Sequence, residues 1–205
     1  MSQRYHTFNT DSFYHIYNRG NSKQVIFKDK QDYIRFVGLL LSCNSNKHLK
    51  YNNLTADTNL LDIEKGESIV AIGAYCLMPN HFHILLTPLV EDGVTKFMQK
   101  VGTAYSMYFN KKYSRTGGLF EGKFRSQYVG DDVYLKYLFS YIHLNPVKLI
   151  NPTWKENGLK SSSDTLAYLQ KYQYSSYLDF KGVHRKEHKI LDIGAFPNYF
   201  PTPKM

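Results

Sequence analysis

Two histidines one residue apart open the most regular apolar run of the chain, Met78-Pro79-Asn80-His81-Phe82-His83-Ile84-Leu85-Leu86. A strand sends residues i and i+2 to the same side. His81 and His83 therefore share one face, while Phe82, Ile84 and Leu86 share the other. Two converging imidazoles can hold a divalent ion, and burying them without a partner would be costly. Spacing alone leaves a second reading open, in which both are hydrogen-bonded structural histidines. Further along, Tyr137, Tyr141 and Asn145 fall at i, i+4 and i+8 of a helical stretch and project from nearly one face. A tyrosine placed there can attack a phosphodiester and hold the product as phosphotyrosine, which splits strand cleavage and rejoining into two steps. A metal would polarise the scissile phosphate and stabilise the charge that develops on it. Spacing does not choose between Tyr141 and Tyr137, and the default for either is a core aromatic. No glycine-rich loop with Lys and Ser or Thr behind it is present to cradle a nucleotide.

The elements that must position these residues follow from the pattern. Phe13 to Gly20 reads as a first strand closed by a turn. From Lys30 to Ser42 the apolar residues fall at helical spacing. Asn44 to Ser68 is polar, Asn-rich and without period, the composition of a long connection. Ser68 to Met78 and His81 to Leu86 are strands joined by Pro79-Asn80 as an antiparallel hairpin. A helix is expected from Val94 to Tyr113, ended by Thr116-Gly117-Gly118, with Leu119 to Arg125 a short strand or loop. A third helix starts at Asp131 or Asp132, either of which can cap it, and stops by Asn145 because Pro146 pushes its predecessor out of helical geometry. This order predicts an α+β fold: one antiparallel sheet with helices packed on a face, of the ferredoxin or RRM-like kind. Residues 1–150 form that domain. Pro152 marks the shift to a polar C-terminal appendage, residues 151–205, with one helix over Asp164 to Tyr172. No internal repeat is visible.

Composition narrows the partner. The chain has 205 residues, and its 26 Lys and Arg against 17 Asp and Glu give a formal charge of +9, a balance suited to polyanions. Its 18 Tyr and 13 Phe add stacking platforms for unpaired bases. Lys111, Lys112 and Arg115, with Lys123 and Arg125 after them, form a basic cluster suited to the backbone of DNA, with affinity that falls steeply with salt. A second group, Lys181, His184, Arg185, Lys186, His188 and Lys189, reads equally as a solvated tail or as a contact to a DNA end. The start lacks a signal-peptide layout and no stretch is long and apolar enough to span a membrane, so a cytoplasmic protein is expected. Cys43 and Cys76 are too isolated for a disulfide framework or a thiolate zinc site and read as buried thiols.

Met78-Pro79-Asn80-His81-Phe82-His83, followed by Tyr141-Ile142-His143-Leu144-Asn145-Pro146-Val147, resembles the single-tyrosine HUH transposases, and specifically the REP-associated tyrosine transposases. The intervening Gly118-Leu119-Phe120-Glu121-Gly122-Lys123-Phe124-Arg125-Ser126 is similar too, so the resemblance spans Phe13 to Ile150. Tyr174-Ser175-Ser176-Tyr177 resembles a more weakly patterned part of the same family. The resemblance implies that His81 and His83 bind Mg²⁺ or Mn²⁺, that Tyr141 is the nucleophile, and that Asn145 helps complete the metal site. Related enzymes often carry Gln at the last position, and the shorter Asn145 reaches the metal directly or through water. It further implies single-stranded or hairpin DNA as substrate, a covalent 5′-phosphotyrosine with a free 3′-hydroxyl, and an often dimeric enzyme. His143 points away from the Tyr141 face and is either structural or a DNA contact. Two rivals remain: a metal-dependent phosphoester hydrolase, and a domesticated protein that binds DNA repeats without cutting them.

Overall fold

Four strands form one antiparallel sheet in the order β2-β3-β1-β4. They are β1 (Phe13–Arg19), β2 (Val70–Met78), β3 (His81–Pro88) and β4 (Arg125–Val129). The computed structural model describes residues 7–47, 59–158 and 161–199. Met78 stands opposite His81 across the two-residue turn Pro79-Asn80, so the expected hairpin forms with both histidines at the head of β3. The central strands are covered on both faces. On one, Tyr14, Ile16, Ile72, Tyr75, Phe82, Ile84 and Leu86 pack against α1 (Lys30–Ser42) and α2 (Gly93–Lys112). On the other, Ala74, Cys76, Met78 and Leu85 meet Leu135, Leu138, Phe139 and Ile142 of α3 (Asp132–Leu144).

Local chemistry sets the helix ends. Asp29 and Asp32 make a reciprocal capping box at the start of α1, satisfying two backbone N–H groups that the helix cannot. Of the two expected caps for α3, Asp131 is the one used: its Oδ1 accepts from Tyr134 N at 2.7 Å. The α-helix ends at Leu144 as expected. The chain then continues as a 3₁₀ turn over Asn145–Leu149, which tolerates Pro146 because the first turn of a helix needs no N–H there.

The fourth strand lies further along than expected. Leu119 to Phe124 makes only the bridge Gly20↔Phe120, and the ladder to β1 runs from Arg125 to Val129. Arg-Ser-Gln-Tyr-Val lacks an apolar alternation because β4 is an edge strand, and only Val129 in it is buried. The C-terminal segment also does more than the appendage expected of it. Tyr174 O accepts from Leu77 N at 2.9 Å, Ser176 N donates to Tyr75 O at 3.0 Å, and Asp192 N donates to Ile72 O at 2.9 Å. These bonds cover the free edge of β2, which would otherwise invite pairing with another chain. Phe196 lies on Gly73 at the β2 irregularity, where an added Cβ would come within 2.8 Å of its ring.

The appendage's expected helix is α5 (Ser162–Lys171), after the single turn α4 (Trp154–Asn157) and before α6 (Tyr177–Phe180). Residues 48–58 of the Asn-rich connection lie outside the described residues. Its start is fixed by Asn44, whose Oδ1 accepts from Ile69 N and Val70 N. Cys43 and Cys76 are buried free thiols. No described helix is long and apolar enough to cross a membrane.

The end of α2 is tied to the start of α1 by charge. Asp32, fully buried, accepts from Lys112 Nζ at 2.8 Å and from the Tyr113 hydroxyl at 2.8 Å. Asp32→Ala leaves Lys112 with Asp29 alone and removes half of the capping box, and should destabilise the fold by about 1–3 kcal/mol, whereas exposed Lys111→Ala should stay within about 0.5 kcal/mol. Urea denaturation of the two variants checks the contrast.

Candidate functional site

Residues directly opposite in an antiparallel ladder share a face, and the β1–β3 register pairs Tyr17 with His83 and Arg19 with His81. His81, His83, His15 and Tyr17 therefore all emerge on the side covered by α3. His83 Nδ1 lies 2.8 Å from His15 Nε2. His81 Nδ1 lies 2.7 Å from Asn80 Oδ1, an acceptor, so Nδ1 carries the proton and Nε2 keeps its lone pair. From above, α3 brings the Tyr141 ring to 5.5 Å from His83 and 6.1 Å from His15, both edge-on. Tyr141 thus stands over His83 and His15. Tyr137 stacks 6.1 Å from Tyr141 and is 55% exposed, so it stands at the rim. His143 is buried on the far side of α3 and bonds Ser176 Oγ at 2.8 Å, a structural role.

Asn145 is fully buried beside His81. Its Nδ2 reaches only the Tyr141 carbonyl, at 3.5 Å, and its Oδ1 accepts no hydrogen bond from the protein. A buried carboxamide oxygen without a hydrogen-bond donor is costly, and the Asn145 carboxamide sits close enough to His81 to act on its ring. Among the described residues no three His, Cys, Asp or Glu side chains are grouped to hold an ion. Two imidazoles and an amide oxygen would make an incomplete donor set, unlike the closed thiolate and histidine cages of structural zinc. A hydrogen bond at one ring nitrogen, as His81 and His83 each have, is what orients a histidine that ligates through the other.

The imidazoles are held neutral. Burial, aided by the charges of Lys148 and Arg19, lowers His81 to about 4, and the neighbouring Asn145 carboxamide opposes this. Burial and then the Lys155 ammonium lower His15 to about 4. His83 falls well below its ordinary value, again chiefly through burial. An open cleft of about 310 Å³ lies over the group, lined by His15, Tyr17, His83, Gln127, Tyr134, Tyr137, Tyr141 and Lys155.

Sequence reasoning missed His15, Tyr17, Gln127 and Lys155. His15 carried a usable signal, since it alternates with Tyr14 and Ile16 in a predicted strand. Its pairing with His83 depends on the strand register, which the sequence does not display. The basic cluster is divided by the sheet. Arg125 stands opposite Tyr17 on the site's side, and Lys123 is exposed in the loop before it. Lys111 and Lys112 end α2 and Arg115 follows it, in the layer behind the sheet. There Lys112 is engaged by Asp29 and Asp32, and Arg115 lies over the Phe109 ring. In the second basic group, Arg185 is internal, bonded to Asp179 and to the carbonyls of Gln173 and Ser175, and Lys186 pairs with Asp62.

Residues 10–145 match the family described as transposase IS200-like, and the chain belongs to that family. Among solved structures it is similar to a REP-associated tyrosine transposase bound to a REP hairpin. That likeness has a TM-score of 0.53 at 12% identity, over 91% of this chain and 90% of the other, and it establishes the shared fold. No curated protein sequence matches.

Neutral histidines make the fold acid-sensitive. His15 and His81 take up protons near pH 4 when folded but near pH 6.5 when unfolded. The unfolded chain therefore binds more protons below that value. Stability is full above about pH 6.5 and declines as pH falls toward 4. Urea midpoints at pH 7.5 and 5.0 should show the lower value at pH 5.0.

Proposed function

We propose that this chain is a metal-dependent single-strand DNA endonuclease and strand transferase that forms a 5′-phosphotyrosine through Tyr141. The observation that carries the reading is the 5.5 Å approach of the Tyr141 ring to His83, above a face where the imidazoles are neutral and Asn145 Oδ1 is free. His81 and His83, with Asn145, would hold Mg²⁺ or Mn²⁺. When bound, the ion supplies positive charge to the non-bridging oxygens of the scissile phosphate.

The chain's own residues do the rest. Tyr141 Oη attacks phosphorus, the bond to the 3′-oxygen breaks, the phenolic proton leaves to solvent and the departing oxygen takes one up. The free 3′-hydroxyl can reverse the step, so one site cuts and reseals. By accepting from His83 Nδ1–H, His15 would hold His83 in the tautomer that leaves its Nε2 lone pair for the ion. The open cleft, with the Tyr137 ring at its rim, suits a splayed single strand better than duplex. Arg125 and Lys123, on or beside the site face, are assigned to the DNA backbone. Lys111 and Arg115 are assigned to its flanking length, and Lys112, already held by two carboxylates, contributes through that network. Hairpin DNA is the favoured substrate because the structurally similar transposase was captured on a REP hairpin. Action as a homodimer belongs to the same reading.

Labelled hairpin DNA incubated with Mn²⁺ or Mg²⁺ should give a protein-linked band on denaturing gels with the wild-type chain. Tyr141→Phe and the double variant His81→Ala/His83→Ala should give none. Cleavage without an adduct in Tyr141→Phe would transfer the assignment to a hydrolase. Binding without cleavage in any buffer would favour a non-catalytic repeat-binding protein. His15→Ala should weaken Mn²⁺ binding, read by calorimetry, by about 10- to 100-fold, the usual cost of losing the partner that orients a histidine ligand.

A further inference from the structure

The ring of Tyr141 carries a cation on its face: Lys155 Nζ lies 3.9 Å from the ring centroid. Lys155 belongs to α4, beyond the residues matched to the family. Its position is nevertheless set from the site. The turn that buries Asn145 continues through Asn151 N to Val147 O at 2.7 Å, Trp154 N to Asn151 O at 3.2 Å and Asn157 N to Thr153 O at 2.9 Å. These bonds aim α4 back over the cleft that Lys155 shares with His15, His83 and Gln127. Its charge is felt at both His15 and His83. Among the described residues no carboxylate pairs with it. An exposed ammonium on a phenol face is held weakly, and a phosphate oxyanion offers it a stronger, charge-assisted partner.

We propose that Lys155 is a phosphate ligand of this site: its ammonium leaves the ring face of Tyr141 to hold the backbone phosphate presented to the Tyr141 hydroxyl. The inference deepens the strand-transfer reading and rests on it. As the bond from Oη to phosphorus forms and the bond to the 3′-oxygen breaks, negative charge gathers on the non-bridging oxygens, where a fixed cation stabilises the transition state more than the ground state. Lys155 keeps its proton throughout. The C-terminal segment thereby supplies the site with a group that the matched family region does not contain.

Two readouts test this on the full chain, with Lys155→Gln and Lys155→Arg checked for unchanged thermal midpoints. The first is the single-turnover rate of adduct formation at saturating hairpin DNA. It should fall about 100-fold in Lys155→Gln, the scale of losing one transition-state donor, and largely recover in Lys155→Arg. The second is the slope of log affinity against log salt for the same DNA without metal, which should shrink by about 0.7 in Lys155→Gln, one single-strand phosphate contact, and be kept in Lys155→Arg. An unchanged slope overturns the proposal whatever the rate does, and a reduced slope with an unchanged rate overturns it by placing the contact away from the reacting phosphate. If the wild-type chain forms no adduct, the strand-transfer reading fails by itself. The slope then decides Lys155 alone: a reduction supports the phosphate contact and no change refutes it.

Discussion

Period-two alternation, kept in step through β1 and β3, is the constraint on which the site depends. Tyr14, Ile16, Phe82 and Ile84 face hydrocarbon, and the residues between them, His15, Tyr17, His81 and His83, face α3. A one-residue slip of β3 would turn both histidines into the apolar layer under α1 and α2 and turn Phe82 and Ile84 toward α3. Several features prevent that slip. Pro79-Asn80 fixes the hairpin register, Asn44 clamps the start of β2, and the Tyr174–Ser176 segment bonds along its outer edge. The functional face is thus specified by the hydrophobic one.

Placing three imidazoles under a helix has an electrostatic cost that the site meets by keeping them neutral and paired. His83 is bonded to His15 and His81 to Asn80, which leaves each one further ring nitrogen. The orphaned Asn145 oxygen breaks the rule that buried polar groups are satisfied, and such exceptions cluster where a ligand completes the set. Cations in and around the site, Lys148, Lys155 and Arg19, reinforce the neutrality of the histidines.

Much of this was legible in the sequence, and the limits have physical reasons. His81 and His83 stood out because a strand pattern states its own faces, and α3 with Tyr141 and Asn145 because helical spacing does the same. The choice of Tyr141 over Tyr137 came from the family resemblance, since the two residues are equivalent by period. β4 was misplaced because an edge strand buries too little to show alternation. His15 and Lys155 were invisible as site residues because each reaches the site through tertiary placement, one by strand register and the other by a turn beyond Pro146. Lys112 looked like a DNA contact because the sequence does not reveal its carboxylate partners in α1. The polar C-terminal segment read as separate because its bonds to β2 are mostly made by the backbone, which leaves little trace in side-chain pattern.

The most direct test of the account is to identify the atom that carries the DNA. Adduct formed with hairpin DNA and Mn²⁺ would be digested with nuclease and protease, and the nucleotide-bearing peptide sequenced by mass spectrometry. The geometry predicts a nucleotide phosphate on Tyr141 alone, the tyrosine held edge-on over His83 and His15. Attachment at Tyr137 or Tyr17, which line the same cleft, would contradict the assignment of the nucleophile and the catalytic geometry built on it.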